Sequence, residues 1–145
     1  MITVRNVTRD DIASLVALCA ENLPEKWSDS SFLSELDKGS VILCASDGDE
    51  IIAFAVATVS FDEAYLDLIA VNADYRRRGV ARRLLSDIED ALRIRGVTRI
   101  VLDVRCSNTA VKLYEACGFR TLCTRRDFYA NPREDGFTMQ KELGC

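Results

Sequence analysis

The chain has 145 residues, 48% hydrophobic and 29% charged, a balance that suits one globular domain over residues 1–145 and excludes intrinsic disorder. Nineteen basic against 23 acidic residues leave a net charge of −4, which argues against a nucleic-acid binder and suits a cationic or amine substrate. There is no histidine, so Ser-His and Cys-His chemistry and His-bearing zinc sites are excluded, and no metal is expected.

The N-terminus carries no apolar signal core and no apolar run is long enough to span a membrane, so a cytoplasmic location without membrane partners is expected. The six cysteines form no CxxC pair. In a reducing compartment they read as small buried hydrophobes, with Cys145 the likeliest exposed thiol.

Ile2-Thr3-Val4 opens the chain as a short strand. Thr8 then caps a helix carrying Ile12, Leu15, Val16 and Cys19 at helical spacing. Past Pro24, Ser28 or Asp29 caps a second helix bearing Phe32, Leu33 and Leu36, which Gly39 ends. Val41–Ala45 and Glu50–Ser60 flank Asp47-Gly48-Asp49 as a hairpin, and a fourth strand runs from Tyr65 to Val71.

From Gly79 the apolar residues Ala81, Leu84, Leu85, Ile88, Ala91 and Leu92 mark a one-faced helix that stops at Gly96. Arg99–Val104 reads as a fifth, central strand. Ser107 or Asn108 caps a helix with Ala110, Val111, Tyr114 and Cys117, ended by Gly118. Arg120–Arg125 and Phe137–Leu143 are the last strands, joined by a loop holding Tyr129, Pro132 and Gly136. The fold class is mixed α/β: a mostly antiparallel sheet of about seven strands, the fourth and fifth parallel, with helices on both faces.

The most informative stretch is Ile69-Ala70-Val71 followed by Arg76-Arg77-Arg78-Gly79-Val80-Ala81. A strand that feeds a helix through glycine leaves unpaired N–H groups beside a positive helix end, which is a seat for a pyrophosphate.

Arg76-x-x-Gly79-x-Ala81, placed between a strand and a long helix, resembles the pyrophosphate signature of the GNAT acetyltransferase superfamily. Asn108, Leu113-Tyr114-Glu115 and Gly118-Phe119 follow in the order of its second motif. Trp27-Ser28, Asp62-Glu63-Ala64, Val104-Arg105-x-Ser107-Asn108, Arg125-Arg126-x-x-Tyr129 and Glu134-Asp135 resemble one branch, the RimI-type ribosomal-protein-alanine N-acetyltransferases. That likeness implies transfer of acetyl from acetyl-CoA to the N-terminal α-amine of a ribosomal protein, directly in a ternary complex, by a monomer or weak dimer.

Carried over by position, the resemblance implies that backbone groups of Ile69, Ala70 and Val71 hold the acetyl and pantetheine end. It places Arg76, Arg77, Arg78, Gly79, Val80, Ala81 and Arg82 at the pyrophosphate and Asn108 on the pantetheine arm. Tyr114 is the acid for the departing thiolate. Asp103 stands where the branch carries a general-base Glu and is one methylene shorter. Asp67, which by alternation shares a face with Ile69 and Val71, is a second candidate base, and a water is a third. Trp27, Glu63, Asp67 and Tyr129 are candidate acceptor-side residues. Two other readings stay open: an acetyltransferase for a small amine, and a CoA-binding module with weak catalysis.

Overall fold

Residues 1–144 are described in a computed structural model; Cys145, the expected exposed thiol, lies outside them. Seven strands form one sheet: β1 (Ile2–Asn6), β2 (Val41–Asp47), β3 (Glu50–Ser60), β4 (Glu63–Val71), β5 (Arg99–Arg105), β6 (Arg120–Tyr129) and β7 (Glu134–Glu142), in the spatial order β1-β2-β3-β4-β5-β7-β6. Every neighbouring pair is antiparallel except β4–β5, as the strand-helix-strand pattern between them requires.

The helices are α1 (Ile12–Asn22), α2 (Asp29–Asp37), α3 (Val80–Ile94) and α4 (Ala110–Ala116). Val80, Leu84, Leu85, Ile88 and Leu92 of α3 and Tyr114 of α4 bury with Leu43, Ala55, Leu66, Leu102 and Met139 on one face. Leu15, Leu18 and Cys19 of α1 and Phe32 of α2 bury with Ile42, Cys44, Phe54 and Leu68 on the other. Each fully buried Leu, Ile or Phe contributes about 1.5–3 kcal/mol, so the two cores hold the helices against opposite sides of the sheet.

Two irregularities interrupt the regular ladder around β4. First, β4 and β5 pair only over Glu63–Tyr65 and Arg99–Val101. Beyond Tyr65 and Val101 the parallel strands part, leaving an unpaired backbone edge on each inside the sheet. Second, Leu66 pairs with Ala57 and Leu68 with Val56, so Asp67 is an extra residue in a β-bulge. Leu66 therefore packs in the α3/α4 core while Leu68 packs in the α1/α2 core.

Several boundaries differ from the sequence reading. β4 starts at Glu63 because Phe61 turns the chain in a left-handed conformation (φ 56°) and frees Glu63 to pair with both Ser60 and Arg99. β6 runs on to Tyr129 and β7 starts at Glu134, so Tyr129 and Gly136 lie in strands instead of a loop. The pairing there is irregular, with Asp127 at positive φ and its N–H donating to Asp135 Oδ1 at 2.9 Å, which hides the strands behind charged residues. The last helix starts at Ala110 with Thr109 at its N-cap; Asn108 Oδ1 accepts the Ala110 N–H at 2.8 Å. Cys19 and Cys44 are buried, but Cys123 is exposed on β6.

Candidate active site

A cleft of about 980 Å³ opens where β4 and β5 part. Its cofactor side is built from backbone. Consecutive strand residues present N–H and C=O groups alternately to the two neighbours, and Asn72 N–H donates to Ile52 C=O at 2.8 Å on the β3 side. By that alternation Ala70 also faces β3, while the N–H and C=O of Ile69 and Val71 face the gap. Arg76 confirms the direction at one atom, its Nε donating to Val71 O at 3.3 Å.

At the end of the gap, Arg77 (φ 63°) and Gly79 (φ 76°) are both left-handed, and they turn the chain into α3. The first intrahelical bond here runs from Arg83 N–H to Gly79 O at 3.0 Å, and the amides of Arg77 through Arg82 have no acceptor among the described residues. Six free donors beside a helix N-terminus make an anion cradle. A Cβ on Gly79 would meet nothing within 4 Å, so glycine is required there by its backbone angle and not by crowding.

The side chains of this segment divide. Arg76, Arg77 and Ala81 line the cleft, and Arg76 also donates to Asn22 Oδ1 at 3.0 Å. Arg78 instead lies over the Tyr75 ring (4.9 Å), Val80 is core, and Arg82 borders a small separate hollow with Glu89 and Lys141. None of these three lines the cleft; what they offer beside it is a free backbone N–H. Asn108 lines the cleft, its side-chain oxygen occupied by Ala110 and its amide hydrogens without an acceptor.

The opposite wall is made by Pro24 and Glu25 after α1 and by Tyr129, Ala130 and Asn131 at the β6–β7 turn, over a floor of Asp67 and Asp103. Both oxygens of Asp103 are occupied: Tyr65 Oη donates to Oδ2 at 2.6 Å and Thr138 Oγ1 to Oδ1 at 2.5 Å. Arg125 Nε, 3.7 Å from Oδ1, also donates to Thr138 Oγ1 at 2.8 Å. Asp67 does not share a face with Ile69 and Val71 as alternation predicts. The bulge turns it to the α2 side, where its Oδ2 lies 2.5 Å from Thr58 Oγ1, and that hydroxyl is 3.0 Å from Glu35 Oε1. Burial raises the Asp67 carboxyl, and the nearby Glu35 charge raises it further.

Tyr114 is buried on α4 with its ring against Phe119 (5.7 Å), and it lines the cleft with no hydrogen-bond partner for its hydroxyl among the described residues. Burial pushes its phenol up to about 12, so it is a neutral donor at physiological pH. Cys106 does not line the cleft, and burial plus the Asp135 and Glu134 charges raise its thiol, the reverse of what a nucleophile needs.

Two expected acceptor-side residues stand elsewhere. Trp27 packs on Phe32 (5.2 Å) as part of the α1/α2 core and is not on the cleft wall. Glu63 pairs with Arg99 (Nε–Oε2 3.0 Å) where β4 and β5 are still joined, at the closed end of the split. The sequence reading in turn passed over Arg105. Its guanidinium lies over the Tyr129 ring (4.6 Å) and donates to Pro132 O (2.9 Å), Ala130 O (3.1 Å) and Glu134 Oε1 (3.2 Å). Glu134 Oε2 accepts the Ser107 N–H at 2.7 Å. This clamp holds the cleft wall of Tyr129, Ala130 and Asn131 to β5. Its signal in sequence was the Val104-Arg105 and Glu134-Asp135 pair of segments, read for resemblance and not for contact.

The profile of the Acetyltransferase (GNAT) family matches residues 10–119. The chain belongs to the GNAT acetyltransferase family. A curated relative from Salmonella typhimurium, the [ribosomal protein bS18]-alanine N-acetyltransferase, is 40% identical over 116 residues, 78% of each chain. The ribosomal-protein-S18-alanine N-acetyltransferase of Escherichia coli superposes with a TM-score of 0.92 at 32% identity, over 100% of this chain and 96% of that one. The PaiA N-acetyltransferase of Thermoplasma acidophilum, solved with coenzyme A, shares the GNAT fold (TM-score 0.81, 19% identity, 98% and 99% covered).

Acetyl-CoA fits the donors of this GNAT cleft. The free amides before α3 match a pyrophosphate, and the open β4 edge matches the amide-bearing pantetheine arm, which adds to it as an extra strand would. Bound in that way, acetyl-CoA would be held by the amides before α3 and by the free backbone edge at Ile69 and Val71, and would supply the thioester to the cleft that Asp103 lines. No group of three or more Cys, Asp or Glu suited to a metal occurs among the described residues, and no helix there is long and apolar enough to cross a membrane.

Proposed function

We propose that this chain transfers acetyl from acetyl-CoA to the N-terminal α-amine of a ribosomal protein that begins with alanine. The split between β4 and β5 carries this reading. It opens one backbone edge to the thioester and leaves a second wall, Glu25 and Tyr129–Asn131, for an acceptor chain. The 40% identity to a bS18-alanine N-acetyltransferase supports that acceptor.

Only a neutral amine attacks a thioester. At pH 7 an α-amine of pKa about 7.7–8.0 is roughly 10% neutral, whereas a lysine near 10.4 is well below 1%. An α-amine therefore suits a site whose bases are carboxylates. Val71 N–H, aimed into the gap, is the donor for the thioester oxygen as charge builds on it. Tyr114 donates its proton to the leaving sulfur, and Asp103 is the final acceptor of the amine proton. Asp67, turned away by the bulge and sharing the Thr58 hydroxyl with Glu35, is assigned to the floor and not to the base role.

The test is acetyl-CoA turnover on a peptide copying an alanine-starting ribosomal N-terminus, beside spermine and a lysine peptide whose N-terminus is blocked. The expected result is a preference for the first by at least about tenfold in kcat/KM. Preference for spermine would assign the site to a small polyamine instead. Tight CoA binding with no turnover on any amine would leave a binding module.

A further inference from the structure

Thr58 on β3 stands between two carboxyl groups with one hydrogen to give. Its Oγ1 lies 2.5 Å from Asp67 Oδ2 on β4 and 3.0 Å from Glu35 Oε1 on α2. A hydroxyl carries a single O–H, so it donates to one of these oxygens and accepts at the other. An ionised carboxylate has nothing to donate. Were both ionised, one contact would set a hydroxyl lone pair against an anion at hydrogen-bond distance. The cluster therefore holds one proton more than two carboxylates and a hydroxyl supply.

The neighbouring groups decide which carboxyl carries it. Lys38 Nζ donates to Glu35 Oε2 at 2.8 Å and Ser40 Oγ to Oε1 at 2.9 Å. Although burial works against it, these donors and Thr58 hold the Glu35 carboxyl below its ordinary range. Asp67 pairs with no cation among the described residues, and Thr58 is its one side-chain partner there. Burial raises its carboxyl and the Glu35 charge raises it further, while Lys38 works the other way. The other titratable groups around it are Tyr65 on its own strand and, on the cleft lining, Asp103 and Glu25. Of the lining arginines, Arg105 is bonded to Glu134 and Arg76 to Asn22 and Val71, and none reaches Asp67.

Resting on the acetyl-transfer reading above, we propose that Asp67 is a neutral acid in the working enzyme, donating its proton to Thr58, whose own hydrogen goes to Glu35. Asp103 is then the single anion on the cleft floor. Asp67 takes no part in making or breaking bonds and acts through the charge it does not carry. The acceptor α-amine arrives mostly as an ammonium ion at pH 7 and has to lose a proton before it attacks. A carboxylate beside it favours the charged form, and a second one favours it more. Each pH unit by which the amine is raised costs tenfold in neutral amine. With Asp67 neutral, the floor draws in a cation with one charge and does not hold it protonated with a second.

Carbon-13 NMR of the side-chain carboxyls in the CoA-free enzyme reads the proton directly, the Asp67 signal being the one that Asp67→Asn removes. Asp67 should titrate with a midpoint above pH 7. In Glu35→Gln the Thr58 hydroxyl is released to donate to Asp67, and that midpoint should fall by more than about one pH unit. A wild-type midpoint below pH 7, or one that Glu35→Gln leaves in place, overturns the proposal. The consequence is read in kcat against pH with both substrates saturating, which reports the bound amine. Glu35→Gln should move the ascending limb up by about one pH unit, a loss of about tenfold at pH 7. In an Asp67→Asn background, where the amide repeats the donor of the neutral acid, the same change should move nothing. No shift in the otherwise wild-type enzyme, or an equal shift in both backgrounds, overturns the proposal and leaves Glu35 as a support for α2. A wild type inactive on the alanine-starting peptide counts against the proposed acceptor instead, and the NMR titration, which needs no substrate, still decides where the proton sits.

Discussion

Arg105 lies over the ring of Tyr129 at 4.6 Å and ties the carbonyls of Ala130 and Pro132 to strand β5. Gly136 lies beneath the same ring, and a Cβ there would come within 2.8 Å of Tyr129 Cε2. The cleft wall at Tyr129, proposed above as the acceptor side, is thus fixed from two sides, by a stacked cation and by a missing side chain.

Arg105→Ala removes that cation and three hydrogen bonds at once. The acceptor KM should rise about tenfold while the CoA Kd changes less than about twofold, measured by steady-state kinetics and calorimetry. Arg105→Lys should not restore it, because an ammonium cannot reach Pro132, Ala130 and Glu134 together from one plane. A normal acceptor KM in Arg105→Ala would mean the wall stands without the clamp.

Tyr114→Phe deletes one hydroxyl from a buried ring and should lower kcat by about 10²-fold with little change in melting temperature. The pH dependence has a definite sign. The phenol is raised to about 12, so its donor form is complete below the ordinary tyrosine range and is lost only as pH climbs through about 12. The kcat profile should therefore show no alkaline fall from this group below about pH 10. A descending limb near pH 8 that disappears in Tyr114→Phe would contradict the raised phenol, and an unchanged kcat in Tyr114→Phe would contradict its role as the acid.

Gly79 needs only its left-handed backbone, since nothing stands near its missing side chain. Gly79→Val forces a β-branched residue to φ 76°, at a cost of about 1–2 kcal/mol that the loop relieves by giving up the cradle geometry. The CoA Kd should weaken by about tenfold. Gly79→Asn should keep most of the affinity, because asparagine tolerates that region. Equal losses in the two variants would point to contact instead of conformation.

Far from the cleft, Asp11 accepts both guanidinium nitrogens of Arg5 (2.8 and 2.9 Å) and the Thr8 N–H (2.8 Å). The Arg5 bond holds its carboxyl down to about 2. A depressed folded-state value stabilises the protein above the ordinary aspartate range, and that stability is lost as pH falls towards 2. With Arg5 half exposed, the contribution is about 1 kcal/mol. Asp11→Asn should lower stability by about that much at pH 7, and the gap to wild type should close near pH 2 in denaturant titrations. A gap that persists at pH 2 would assign the effect to the turn and not the ion pair.

Sequence reading reached most elements because their signals are local. The α3 start at Gly79, the stop at Gly96 and the β2–β3 hairpin each depend on a few adjacent residues. The missed strand ends, at Tyr129 and Glu134, sit in a charged run whose pairing is irregular. There, composition and structure disagree because a bulged edge strand tolerates arginine and aspartate. Trp27 misled for a related reason: an aromatic beside a turn reads alike whether it faces a cleft or, as here, the ring of Phe32.

The sequence by itself determined the GNAT likeness, the seven-strand order of elements, the glycine-opened helix and the candidate pair of Asp103 and Tyr114. All of these are matters of residue type and short spacing. Only the tertiary structure decided which way Asp67 points, which atoms hold Asp103, and that Arg105 rather than Trp27 shapes the cleft wall at Tyr129. A bulge exists only in the register between two strands, and a hydroxyl such as Tyr65 reaches a carboxylate 38 residues away only once those strands lie side by side.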